Sequence, residues 1–111
     1  MNRDPLTTLY EALNARTGIP FALYAWAKRP ENLPTWGQVG LDGEGPSMQG
    51  DNRKTDMVCE GTVDVFTREP GAEILRAVQD VLNGLEYAWE LYLVLYEQDT
   101  RLIHYHWVWR E

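Results

Sequence analysis

Residues 102–111 read LIHYHWVWRE, and how this stretch is placed decides the fold. Ile103, Tyr105, Trp107 and Trp109 alternate with Leu102, His104, His106 and Val108. Successive side chains of a strand point to opposite faces. One face is therefore wholly apolar or aromatic, and the other sets two imidazoles among aliphatic groups. Residues 87–97, YAWELYLVLYE, alternate in the same way, and Gln98, Asp99 and Thr100 form a polar break between the two runs. The pattern predicts a β-hairpin.

Register settles which face is buried, because a slip of one residue exchanges the faces. A three-residue turn pairs Leu95 with Ile103, Leu93 with Tyr105, Leu91 with Trp107 and Trp89 with Trp109. That face suits a core. A four-residue turn would bury His104 and His106 beside Leu93 and Leu91. An imidazole buried without a partner costs about 1–3 kcal/mol. The three-residue turn is therefore expected. Its outer face then carries Tyr96, Leu102, Val94, His104, Tyr92, His106, Glu90 and Val108.

Working outward, residues 57–66, MVCEGTVDVF, alternate cleanly. Met57, Cys59, Val63 and Val65 share one face, and Glu60, Thr62 and Asp64 share the other, with Phe66 following them. Two helices flank the strands. In the first, Asp4 is the expected N-cap and Pro5 takes the first helical position, where no N–H is needed. Leu6, Leu9, Tyr10 and Leu13 make its apolar stripe, and Gly18 stops it. In the second, Pro70 stands at the start and Glu73 in the first turn, Ile74, Leu75, Val78, Val81 and Leu82 form the stripe, and Asn83-Gly84 end it. Residues 20–27 and 36–43 read as two further strands, the latter weakened by Gly37 and Gly40. Residues 44–55 read as an exposed loop. The order helix, three strands, helix, two strands predicts a single α+β domain over 1–111. It is a mainly antiparallel sheet of about five strands with both helices on one face.

The chain has 111 residues, a net charge of −7 and a hydrophobic fraction of 44%. A domain of this size buries roughly 65% of its extended surface, enough for one core. The negative charge argues against gripping nucleic acid, which needs clustered Lys and Arg. Cys59 is the single cysteine, so no intrachain disulfide forms, and a reduced cytoplasm suits it. Residues 1–13 lack the apolar segment of a secretory leader, so none is expected.

Motifs for chemistry are sparse. Ser47 in GPSMQG lacks the spacing of a nucleophile elbow, and the glycines of GQVGLDGEG do not open a helix as a phosphate site requires. Glu60, Asp64 and Glu90 offer carboxylates on a strand face, with no local feature that raises a pKa. His104 and His106 lie about 7 Å apart along one face. With Asp64 or Glu60 they form a conceivable two-His-one-carboxylate set. The same spacing arises in any alternating strand with two histidines, so imidazoles at a surface or interface are the expectation, with no metal and no cofactor. Tyr and His scattered among aliphatic groups have the composition of a protein–protein interface.

Several of these segments together resemble a family. They are the short first helix, a strand after GIPF (18–21), Trp36-Gly37 opening the next strand, a long polar loop, VDVFTRE (63–69) running through EPG into AEILRAVQDVLNGL (72–85), and a hairpin ending in HYHWVWR (104–110). The pattern resembles the small tail-terminator or tail-completion proteins of long-tailed bacteriophages, which cap the tail tube and join it to the head. The resemblance implies a non-enzymatic virion protein, made in the host bacterial cytoplasm. It implies a homo-oligomeric ring, commonly of six subunits, through which DNA passes without specific binding and which meets tail-tube and connector proteins. Subunit contacts are then expected at Tyr92, Tyr96, His104 and His106, and partner contacts in the polar loop at Met48, Asp51, Arg53 and Lys54. A small non-viral α+β module that binds a ligand or a protein is the alternative.

Overall fold

Capping chemistry starts the first helix where the sequence places it. In the computed structural model, which describes residues 4–42, 59–69 and 71–111, α1 spans Pro5–Arg16. The Asp4 carboxylate accepts from the Thr7 N–H at 2.8 Å and from the Thr7 hydroxyl at 2.9 Å. Those two bonds hold the Asp4 carboxyl below its usual value. Gly18 takes the left-handed conformation, φ 75°, just past the helix end. Leu6, Leu9 and Leu13 are buried.

The second helix, α2, spans Ala72–Gly84, preceded by Gly71 without a side-chain cap. Its stripe of Val78, Val81 and Leu82 is buried, with Ile74 and Leu75 packed against the same core. Pro70 lies outside the described residues. The helix ends on Gly84 as expected, but the left-handed residue of its stop is not that glycine. Glu86 takes the left-handed turn at φ 63°. Its N–H donates to the Asn83 carbonyl at 2.9 Å, and the Tyr87 N–H donates to the Leu82 carbonyl at 3.0 Å. This is a Schellman closure with an exposed glutamate where glycine is normal. Glu86→Gly is expected to stabilise the fold by about 0.5–1 kcal/mol in a urea titration.

Between and after the helices lie β1 (Phe21–Leu23), β2 (Thr35–Leu41), β3 (Glu60–Thr67), β4 (Ala88–Glu97) and β5 (Leu102–Arg110). The sheet order is β1-β2-β3-β5-β4, with β1 parallel to β2 and the remaining pairs antiparallel. The α+β class and the element order are those expected. β1 is shorter than expected, because Tyr24 turns the chain at φ 66°.

Both helices cover one sheet face. Val39, Val63, Val65, Tyr105, Trp107 and Trp109 meet Leu9, Leu13, Val78 and Leu82 in one core. Cys59 also packs there, and burial pushes its thiol up. Glycines make room for the largest rings. A Cβ on Gly37 would lie 2.4 Å from the Phe21 ring, and one on Gly61 would lie 2.7 Å from the Trp109 ring. The glycines that seemed to weaken β2 therefore admit bulky neighbours.

Tyr87 ties the two helices together. Its hydroxyl donates to the Pro5 carbonyl at 2.9 Å. Burial, and then the nearby Glu111, Cys59 and Asp4, push its phenol up from 10.0 to about 12. A raised pKa means the folded chain keeps a proton that the unfolded chain releases. Stability from Tyr87 is thus complete below pH 10 and is lost as pH rises toward 12. Urea midpoints are expected to fall steeply over that range, and Tyr87→Phe is expected to flatten the fall.

The hairpin corrects the expected register. Trp89 pairs with Trp109 and Leu91 with Trp107, as expected, but a bulge between Leu91 and Leu93 shifts the rest. Beyond it Leu93 pairs with His106, Val94 with Tyr105, Leu95 with His104 and Tyr96 with Ile103. The turn holds four residues, 98–101, with Arg101 at φ 60° and its N–H donating to the Glu97 carbonyl at 2.7 Å. The two registers weighed as rivals both exist, one on each side of Tyr92. The base keeps its indoles under the helices, while the four-residue turn sets the tip.

Candidate functional site

The sheet face turned away from the helices carries most of the polar chemistry. Its first row crosses three strands, with Trp36 opposite Phe66 and Phe66 opposite His104. The rings stack at 4.4 Å and 4.2 Å, each pair within 17° of parallel. Trp26 meets Trp36 edge-on at 6.3 Å, and its indole N–H donates to the Gly37 carbonyl at 2.8 Å. Trp36, Phe66 and Leu102 are buried here as a second small core, against which Trp26 and Leu33 pack. Residues 24–34, of which 24–27 read from sequence as the end of a strand, instead form a connection that covers this end of the sheet. Trp26, placed by sequence in the strand over 20–27, lies instead in this cover between β1 and β2.

Arg29 closes that end. Its guanidinium lies 4.8 Å from the Phe66 ring centre and 5.4 Å from that of Trp36. It donates to both Glu97 oxygens, at 3.1 and 3.3 Å. These bonds, outweighing burial, hold the Glu97 carboxyl below its usual value, helped by the Thr100 hydroxyl. The adjoining cleft, lined by Arg29, Trp36, Arg68, Thr100 and Leu102, encloses about 210 Å³. Ligand pockets typically hold about 300–1,000 Å³.

The second row contains the polar centre. Asp64 stands opposite His106 and diagonal to His104. Its Oδ1 lies 2.6 Å from His104 Nε2 and 2.5 Å from His106 Nδ1. Burial pushes the Asp64 carboxyl up, but the two imidazole hydrogen bonds and the histidine charges outweigh it and hold the group below its usual value. The imidazole side chains are 20% and 24% exposed, that of Asp64 12%. Ligand atoms from the three residues all lie within 4.8 Å of one another. Among the described residues this is the one cluster with the donor types and spacing to hold a metal ion. Asp64 also answers the objection to the longer turn, since it supplies the partner each imidazole needs.

The structure divides the residues expected to act together. His104 and His106 lie on the outer face as expected, though both are engaged with Asp64. Tyr92 is exposed on that face, its ring edge-on to His106 at 5.9 Å. Tyr96 and Val94 belong instead to the helix-side face with Ile103 and Tyr105, because the bulge at Tyr92 reverses their side. Beyond the helices that face is bare, so both are exposed. Glu60 pairs with Arg110, and Glu90 stands opposite Val108. Those carboxylates do not meet Asp64's imidazoles. Met48, Asp51, Arg53 and Lys54 lie outside the described residues.

The sheet edges form the other candidate surface. β4 is an outer strand, and Tyr92, Leu93, Val94, Leu95 and Tyr96 run unbroken along it, each between 40% and 64% exposed. The remaining exposed large hydrophobic residues among those described are Leu23 on β1, Tyr24 just past it and Leu41 at the end of β2, toward the opposite edge. That edge is blunted, because Asn14 accepts from the Phe21 N–H at 2.9 Å and donates to its carbonyl at 3.3 Å. On β4 the edge is interrupted by the bulge beside Tyr92. No helix among the described residues is long and apolar enough to cross a membrane. Neither the protein-family models nor the curated proteins compared with this chain give a match.

Proposed function

We propose that this chain is a structural protein of long-tailed bacteriophage virions, of the tail-terminator or tail-completion type. In this reading copies assemble side by side into a ring that caps the tail tube and joins it to the head. The role is assembly, not catalysis. One observation carries the reading: among the described residues, the exposed large apolar side chains occupy two unlike patches at opposite edges of one sheet. A long, largely apolar edge strand without proline or lysine is a template for association, here interrupted by one bulge beside Tyr92. Like patches would favour a two-fold dimer. Unlike patches on opposite sides favour head-to-tail contact, which closes into a ring when the rotation per subunit allows. The net charge of −7 suits a lumen that lets DNA pass.

Negative-stain images of the full chain, alone and mixed with tail tubes of the phage that encodes it, test the reading. Rings of uniform diameter, seated on tube ends, are expected. A strict monomer at high concentration that leaves the tubes bare contradicts it.

A further inference from the structure

We propose that Asp64, His104 and His106 form a binding site for one divalent ion of the zinc type. The site lies beside the β4 edge, with Tyr92 bordering both, and the proposal holds whether or not the chain forms rings.

Three observations converge. The donors come from neighbouring central strands, β3 and β5, so the sheet ladder fixes their spacing. The rings are held by packing: His104 stacks on Phe66 at 4.2 Å, and His106 lies edge-on to His104 at 6.0 Å and to Tyr92 at 5.9 Å. Both rings also aim a nitrogen at one carboxylate oxygen, at 2.6 and 2.5 Å.

The chemistry selects the ion. Zinc binds imidazole nitrogen at about 2.0–2.1 Å and carboxylate oxygen at about 2.0–2.2 Å, so donors around it sit about 3.3–3.5 Å apart. To admit it, Oδ1 and each ring nitrogen separate by about 0.7–1 Å and the two ring nitrogens, now within 4.8 Å of each other, draw together, through side-chain rotations. Two imidazoles and one carboxylate favour Zn²⁺, Co²⁺, Ni²⁺ or Cu²⁺ over Mg²⁺ and Ca²⁺, which prefer all-oxygen sets. Three protein donors leave at least one position for water or for a group from another molecule. The partly exposed imidazoles give the ion an entry path. Once bound, the ion would cross-link β3 to β5.

The test is titration of the full chain with Co²⁺ and with Zn²⁺ in a non-chelating buffer. One equivalent is expected to bind with a Kd of about 10 μM or tighter, with the visible absorption of low-coordinate Co²⁺ and a rise in Tm when Zn²⁺ saturates the site. His104→Ala and His106→Ala, each checked for native far-UV circular dichroism, are expected to weaken binding at least about 100-fold, beyond the loss typical of outer-shell changes. Should either variant misfold, imidazole ¹⁵N shifts of the unmodified protein on adding Zn²⁺ give the same answer, and both rings should move. No Co²⁺ spectrum and no imidazole shift would overturn the site, leaving a hydrogen-bonded clasp. Undiminished binding in the folded double variant would overturn the ligand assignment. Displacement of Co²⁺ by a hundredfold excess of Mg²⁺ would overturn the ion class.

Discussion

Replacing Val94 and Tyr96 together with lysine is expected to turn assembled protein into folded monomers. Both side chains are about half exposed, on a part of the sheet that neither helix covers. Their loss should therefore cost the isolated fold less than about 1 kcal/mol. The cost in association is far larger. A buried interface tyrosine is commonly worth 2 kcal/mol or more, roughly a thirtyfold change in affinity per contact. Lysine on an edge strand also opposes strand addition through its charge and its hydration. A closed ring repeats the same contact at every junction, so the loss recurs around it. Light scattering should show the shift in mass, with an unchanged circular dichroism spectrum. An assembly of unaltered mass would remove the β4 edge from the interface.

Gly61→Ala is expected to give the largest loss of stability among small substitutions. A Cβ there would lie 2.1 Å from the Gly40 carbonyl oxygen and 2.7 Å from the Trp109 ring. The first obstacle is backbone in the neighbouring strand, and the second is a fully buried indole, so neither yields cheaply. Overpacking of this kind costs about 1–3 kcal/mol, and this site belongs at the upper end. The melting temperature should fall by about 10–20 °C. Gly84→Ala serves as a control. Its new methyl would meet only Arg16 Nη1 at 3.5 Å, in the last turn of α2. That change should be neutral or stabilising, since alanine favours helix by up to about 1 kcal/mol. Equal melting temperatures for the two variants would contradict the packing described around β3.

Local chemistry made much of the fold legible. Asp4, Pro5 and Gly18 mark the ends of α1 because caps act within a few residues. The faces of β3 followed from strict alternation, and Trp107 and Trp109 went under the helices as their bulk required. Two features stayed hidden. The bulge beside Tyr92 carries no glycine or proline, and the turn places Arg101, not glycine, at positive φ. Nothing local therefore announced that the hairpin changes register midway, and Tyr96 was put on the wrong face. The cover that residues 24–34 give to Trp36 and Phe66 was missed because it depends on tertiary contacts such as Arg29 with Glu97. The polar centre was half visible. His104 and His106 announce a shared face, and Asp64 was one carboxylate within reach. Its choice over Glu60 rests on the β3–β5 register, which pairs Asp64 with His106 and Glu60 with Arg110. Such a register is set across forty residues of chain and cannot be read within either strand.

Head-to-tail association of the two sheet edges is most directly tested by mixing single-cysteine chains. In a Cys59→Ser background, Tyr24→Cys and Tyr96→Cys are prepared separately and combined under mild oxidation. The expected result is a disulfide-linked dimer in the mixture, little in either variant alone, and a ladder of linked species from a chain carrying both cysteines. Efficient coupling of Tyr96→Cys chains to one another, with none to Tyr24→Cys, would show a two-fold pairing of like edges and contradict the ring.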